Sequence, residues 1–218
     1  MDTKVQFPKN ATVVAANGQE VGSIDRVVLS PESKMVTHIV VRKGALLNKV
    51  EKVLPIDLVA ETTEDQITLR AEAEDLDAFP PFEEERVVDK KAGLDHAPLY
   101  ESTSPELLGY PEPNIPVDRA LGEQYVTQIE QNIPEGTVAL KEGAQVISAE
   151  GQHVGKVERV LADLSLEQVT HLLVSRGMFP RETKLIPMEW VARMEDDEVH
   201  LRVDEHSVKE LADVSITR

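Results

Sequence analysis

Ala11-Thr12-Val13-Val14-Ala15-Ala16-Asn17-Gly18-Gln19-Glu20-Val21-Gly22 returns later in the chain as Ala144-Gln145-Val146-Ile147-Ser148-Ala149-Glu150-Gly151-Gln152-His153-Val154-Gly155. The offset, 133 from Ala11 to Ala144, holds onward through Arg26-Val27 with Arg159-Val160 and Val36-Thr37-His38 with Val169-Thr170-His171. Val41 meets Val174 and Gly44 meets Gly177. After that glycine one residue is lost, and Leu54-Pro55 then meets Ile186-Pro187, Val59 meets Val191, and Ile67 and Leu69 meet Val199 and Leu201. One deletion in one loop accounts for the whole alignment. The chain therefore reads as two copies of one module.

Each copy reads as strands. Residues 11–16 are β-prone and run into Asn17-Gly18, a strong short hairpin signal. Val21 to Leu29 is the return strand, and Ser30-Pro31-Glu32-Ser33 is turn chemistry. Met35 to Arg42 is almost unbroken β-branched and apolar sequence; Lys52 to Val59 and Gln66 to Arg70 supply two more strands. Val5 to Phe7, matched by Val138 to Leu140, adds a short leading strand. Five or six short strands in about 70 residues predict an all-β fold of two small barrels, closed or nearly so. Leu76 with Phe79, and Val208 with Leu211, have the i, i+3 spacing of a short helix ending each copy.

The domain reading is 1–80 for the first copy, 81–134 for a Pro-rich acidic connecting segment, and 135–218 for the second copy. The segment holds Pro81, Pro98, Pro105, Pro111, Pro113, Pro116 and Pro134, which rule out long regular elements. It also carries Phe82, Leu99, Tyr100, Leu107, Leu108 and Tyr110. Two readings stay open: apolar anchors laid on the barrels, or a free tether whose exposed aromatics meet a partner. Residues 117–132 read equally as a helix or as a strand.

Composition narrows the function. A net charge of −17 opposes binding to the phosphates of nucleic acid and to an anionic membrane surface. No stretch approaches the roughly 20 apolar residues that span a bilayer, and residues 1–6 lack the apolar run of a signal peptide, so a cytoplasmic protein is expected. The absence of cysteine removes disulfides, thiolate catalysis and thiolate-bound zinc.

The Asn-Gly-Gln-x-Val-Gly and Glu-Gly-Gln-x-Val-Gly turns at 17–22 and 150–155 resemble those of PRC-barrel proteins. So do Val-Thr-His followed by Ile39-Val40-Val41 or Leu172-Leu173-Val174, the glycines Gly44 and Gly177, and Leu54-Pro55 with Ile186-Pro187. The stretch 132–138 resembles the lead-in to such a domain in tandem bacterial members. The resemblance covers both copies and implies six-stranded barrel modules used for protein contacts, with no shared catalytic residues. The family includes the cytoplasmic part of the photosynthetic reaction-centre H subunit and a domain of a ribosome-maturation factor. Neither the transmembrane helix of the one nor the extra N-terminal domain of the other is expected here, so neither specific job is carried over.

Few residues invite chemistry. His38 and His171 occupy the same strand position in both copies, and alternation places His38 on the face of Val36 and Val40, a packed structural position. His200, Asp204 and His206 match no metal-ligand spacing, and neither a phosphate loop nor a nucleophile elbow is present. Arg26 and Arg159 each follow an acid, Asp25 or Glu158, which suits an ion pair or lid as well as a contact. The expectation is a non-enzymatic adaptor or interaction module without cofactor, working through an unknown protein partner or self-association. Its candidate contact residues are Tyr100, Leu107, Leu108, Tyr110, Arg26 and Arg159. The alternative is a small-ligand or ion-binding regulator using the groove between barrels.

Overall fold

The computed structural model describes residues 4–8, 11–44, 49–63, 65–73, 75–89, 125–163, 168–177 and 182–214. The fold is all-β. The first half contributes β1 (Lys4–Pro8), β2 (Thr12–Val14), β3 (Glu20–Leu29), β4 (Val36–Lys43), β5 (Val50–Pro55), β6 (Val59–Thr62) and β7 (Gln66–Leu69). Then come β8 (Glu83–Asp89) and β9 (Tyr125–Gln131). The second half supplies β10 (Val138–Lys141), β11 (Gln145–Ile147), β12 (His153–Asp163), β13 (Gln168–Arg176), β14 (Glu182–Pro187), β15 (Val191–Met194), β16 (Glu198–Leu201) and α1 (Glu205–Glu210). Met1–Phe82 and Asn132–Arg218 make one compact unit, and Glu83–Gln131 makes another.

The two large sheets have matching orders, β5-β4-β3-β2-β7-β6 and β14-β13-β12-β11-β16-β15. In each, the β2–β7 or β11–β16 contact is parallel and the others are antiparallel. Among the described residues neither path closes into a ring. β5 and β6 end one path and β14 and β15 the other, with the 3-10 turns Ile56–Leu58 and Met188–Trp190 carrying the chain between them.

The correspondence extends to single hydrogen bonds. The Lys52 ammonium donates to the Phe79 and Asp77 carbonyls at 2.7 and 3.3 Å, and Lys184 donates to Leu211 and Lys209 at 2.6 and 3.3 Å. The terminal helices differ, however. The second half has α1, begun where the Asp204 carboxylate accepts from the Ser207 amide at 2.7 Å. Among the described residues the first has 3-10 turns at Ala71–Ala73 and Leu76–Ala78 in place of that helix.

The leading strands exchange. β3 is ten residues long, and three-residue β2 pairs only with its Glu20–Ser23 stretch. The remaining edge, Arg26–Leu29, is taken by β10 from the second half. Reciprocally, β1 lies along Arg159–Asp163 of β12. Phe7 pairs with Val160 as Leu140 pairs with Val27, so one exchange is made twice at the repeat offset. Phe7 and Leu140 are buried in a single hydrophobic cluster drawn from both halves. The expected leading strands are therefore present, but each completes the sheet of the other copy.

Two bulges set which residues look inward. The register slips from Val28↔His38 to Leu29↔Val36, so the extra residue on β4 switches faces between 36 and 38. Val36 joins Ile39 and Val41 in the shared core, while Val40 belongs to a cluster on the opposite face. Strict alternation puts His38 with both Val36 and Val40; the bulge leaves it with Val40 alone. β13 repeats this between His171 and Val169.

Gly22 and Gly155 each follow a bulge at the β2–β3 or β11–β12 crossing. A Cβ on Gly22 would lie 2.4 Å from the Arg42 carbonyl oxygen, and on Gly155 2.5 Å from that of Ser175. The requirement is close strand approach, since neither glycine has a positive φ. Gly22→Val or Gly155→Val is expected to destabilise the protein by about 1–3 kcal/mol through overpacking. Thermal denaturation checks this, and unchanged melts for both variants would refute the crowding argument.

Candidate interaction site

A third bulge builds the most elaborate polar arrangement in the first sheet. Register passes from Ile24↔Val41 to Arg26↔Val40, which makes Asp25 the extra residue and sets Asp25 and Arg26 together opposite Val40. Asp25 is only 6% exposed, and its carboxylate lies 3.1 Å from Arg42 Nη1 and 3.5 Å from Arg26 Nε. Arg26 also approaches Asp196 of the second half at 3.7 Å, and its guanidinium sits 4.7 Å from the centre of the Phe82 ring. Beneath that ring lie Val28, Val40, Val53 and Ala139, all buried, with Ile133 packed alongside. The arginine is a cationic cover over an aromatic plug.

The equivalent face of the second sheet is built differently. Leu161, Leu173 and Leu185 stand where the first has Val28, Val40 and Val53. Val214, 37% exposed, holds the place of Phe82: its amide bonds the Thr183 carbonyl as the Phe82 amide bonds Glu51. The smaller plug leaves this face more open: Leu173 is buried, but Leu161 and Leu185 are only half-buried. Arg159 donates to the Gln6 side-chain oxygen at 3.0 Å, and Ser175 donates to Glu158 at 2.6 Å. Arg26 and Arg159 are thus each engaged within the compact body. Nothing in the local sequence pointed to Asp196 or Gln6 as neighbours, because both reach their partners from the opposite half.

The histidines are dispersed. His38 is half-buried, with Nδ1 enclosed and lacking a hydrogen-bond partner. Burial holds its pKa below the ordinary 6.5, against a smaller upward pull from Asp57. His200 Nε2 lies 3.1 Å from Glu198, His206 is 3.3 Å from Glu210, and Asp204 caps α1. Among the described residues no three His, Asp or Glu side chains gather as a metal site would require. No helix of the described residues is long and apolar enough to cross a membrane.

The depressed value of His38 has a pH consequence. The folded state takes this proton less readily than the unfolded chain, so stability is undiminished above pH 6.5 and falls as pH drops through the lowered value. Asp204 and Glu205, also lowered, act further down the scale, where carboxylates protonate. Denaturant midpoints between pH 7 and pH 5 should fall in the wild type and fall less in His38→Leu. Equal slopes would refute the assignment.

The second compact unit contains the antiparallel ribbon β8–β9, in register from Glu83↔Gln131 to Asp89↔Tyr125. The part of 117–132 that is described, Tyr125–Gln131, is therefore strand. Ile129 is 68% exposed, the largest exposure of any bulky apolar side chain among the described residues. Glu83, Glu84 and Glu85 are exposed, and Arg86 pairs with Glu130 at 3.0 Å. Tyr100, Leu107, Leu108 and Tyr110, with Leu99, lie outside the described residues. Phe82, grouped with them on composition, is fully buried under Arg26. The chain leaves the larger unit at Phe82 and returns at Asn132, and these two residues touch. The Asn132 amide bonds the Phe82 carbonyl at 2.9 Å, and its side-chain amide bonds the Pro81 carbonyl at 2.9 Å.

Residues 7–76 match the model of the PRC-barrel domain. Residues 140–209 match a different model, that of an uncharacterized protein conserved in bacteria, DUF2171. The expectation of two PRC-barrel matches is met once, in the first half. No curated protein matches the chain.

Proposed function

We propose that the chain is a non-enzymatic, cytoplasmic protein-interaction module. In this reading its two halves are diverged copies of one barrel unit, and Glu83–Gln131 is the segment that meets the partner. The observation that carries this is the contact between Phe82 and Asn132. Because the exit and return points are hydrogen-bonded neighbours, a tight turn would suffice to close the larger unit. A long segment rich in proline, acid and tyrosine is therefore an insertion that the connectivity of the larger unit does not explain. Insertions of this kind carry function more often than stability. Exposed Ile129 beside an acidic run suits a partner with apolar and basic groups.

Replacing residues 83–131 by Asn-Gly tests both parts. The shortened protein is expected to keep the melting temperature of the full chain within a few degrees. Affinity capture with mass spectrometry, run side by side, should then recover a partner with the full chain and lose it with the shortened one. Identical captures would remove the insertion from the role, and a collapsed melt would make it structural instead.

A further inference from the structure

β2 and the leading strand that would pair with the same half lie end to end along one edge. β2 covers Glu20–Ser23 of β3, and the next stretch of that edge, Arg26–Leu29, is filled by a leading strand of the second half. The two edges, of β3 and of β12, accept equivalent strands in equivalent registers. Only residues 9–11 separate β1 from β2, and 142–144 separate β10 from β11. Neither edge distinguishes a half on its own chain from a half on another.

We propose that two copies of this chain pair by trading halves, residues 1–82 of each closing on residues 132–218 of the other. Every contact in such a dimer already exists in the monomer: Phe7 with Val160, Leu140 with Val27, Arg26 with Asp196 and Arg159 with Gln6. No interaction is lost and no new surface has to be complementary, which is the low-cost route to a dimer. The balance rests on connection. Tethering within one chain supplies an effective concentration of the order of millimolar, so the monomer dominates in dilute solution. The dimer forms when chains fold at high concentration, and it persists on dilution because reversal requires both exchanged strands to open. β8 of each chain would pair with β9 of the other, so the register from Glu83↔Gln131 to Asp89↔Tyr125 is kept, and the 90–124 stretch has residues enough to cross between the two bodies. This inference stands independently of what the insertion binds.

Complementation between two damaged chains tests it. Phe7→Asp injures the first half and Leu140→Asp the second, so each variant alone puts a carboxylate in the shared core and loses its wild-type melt. If halves trade, refolding the two together yields dimers in which one body carries both lesions and the other carries neither. A fraction melting at the wild-type temperature, eluting at twice the monomer mass, is the expected result. The milder pair Phe7→Ala and Leu140→Ala serves if the aspartates aggregate. A mixture that melts as the sum of the separately refolded variants overturns the proposal. So does a wild-type chain that refolds only to monomer at every concentration by light scattering.

Discussion

A chain cut between residues 90 and 124 is expected to stay together as one body. The two fragments, separated in denaturant and remixed, are expected to recombine one to one and recover the melt of the uncut protein. The argument rests on the exchanged strands. Fragment 1–89 taken alone leaves Arg26–Leu29 of β3 without β10, and Val27 and Leu29 lose the cover of Leu140. Fragment 125–218 leaves Arg159–Asp163 without β1, and Val160 and Ala162 lose Phe7. Each bare edge exposes unpaired backbone groups, and each open core exposes apolar surface. The tether contributes loop entropy, which grows only slowly with length, whereas the exchanged strands contribute buried contacts. Size-exclusion chromatography with calorimetry decides. Fragments that elute apart, each melting at the temperature of the intact chain, would show two self-sufficient barrels.

The same exchange marks the limit of what the sequence discloses. Val5-Gln6-Phe7 and Val138-Ala139-Leu140 announce strands by composition, and the repeat announces that they are equivalent. Equivalence is the difficulty: Phe7 suits the edge of β3 for the same reason that it suits the edge of β12, so pattern alone does not choose the half. The faces of β4 and β13 were half legible. Their apolar runs identify central strands, but a bulge between 36 and 38 depends on how Leu29 crosses a neighbour, a tertiary fact with no local signature. The site fared similarly. Arg26 stands out by its repetition as Arg159, yet its partners Phe82 and Asp196 lie far along the chain. Phe82 belongs to the first module by structure, since Lys52 bridges Pro81 as Lys184 bridges Asp213; the unlike pairs Pro81/Asp213 and Phe82/Val214 do not announce that equivalence in the sequence.

Phe7→Ala is expected to remove about 3–5 kcal/mol of stability, the usual cost of emptying a buried phenylalanine site. Phe7 is 1% exposed and sits between the two halves in the common cluster. For a protein of this size such a loss lowers the melting temperature by roughly 10 °C. Where the damage shows is more informative than its size. β1 is bonded to β12, so loosening β1 frees amides of Arg159–Asp163, more than a hundred residues away, before it affects those of Arg26–Leu29 in its own half. Leu140→Ala should give the mirror pattern, freeing Arg26–Leu29 first. Native-state hydrogen exchange at a denaturant level below the global transition reads both variants, because local openings of this kind are resolved there. Faster exchange at Arg26–Leu29 in Phe7→Ala, with Arg159–Asp163 still protected, would mean that β1 returns to its own sheet and that the halves do not exchange strands in solution.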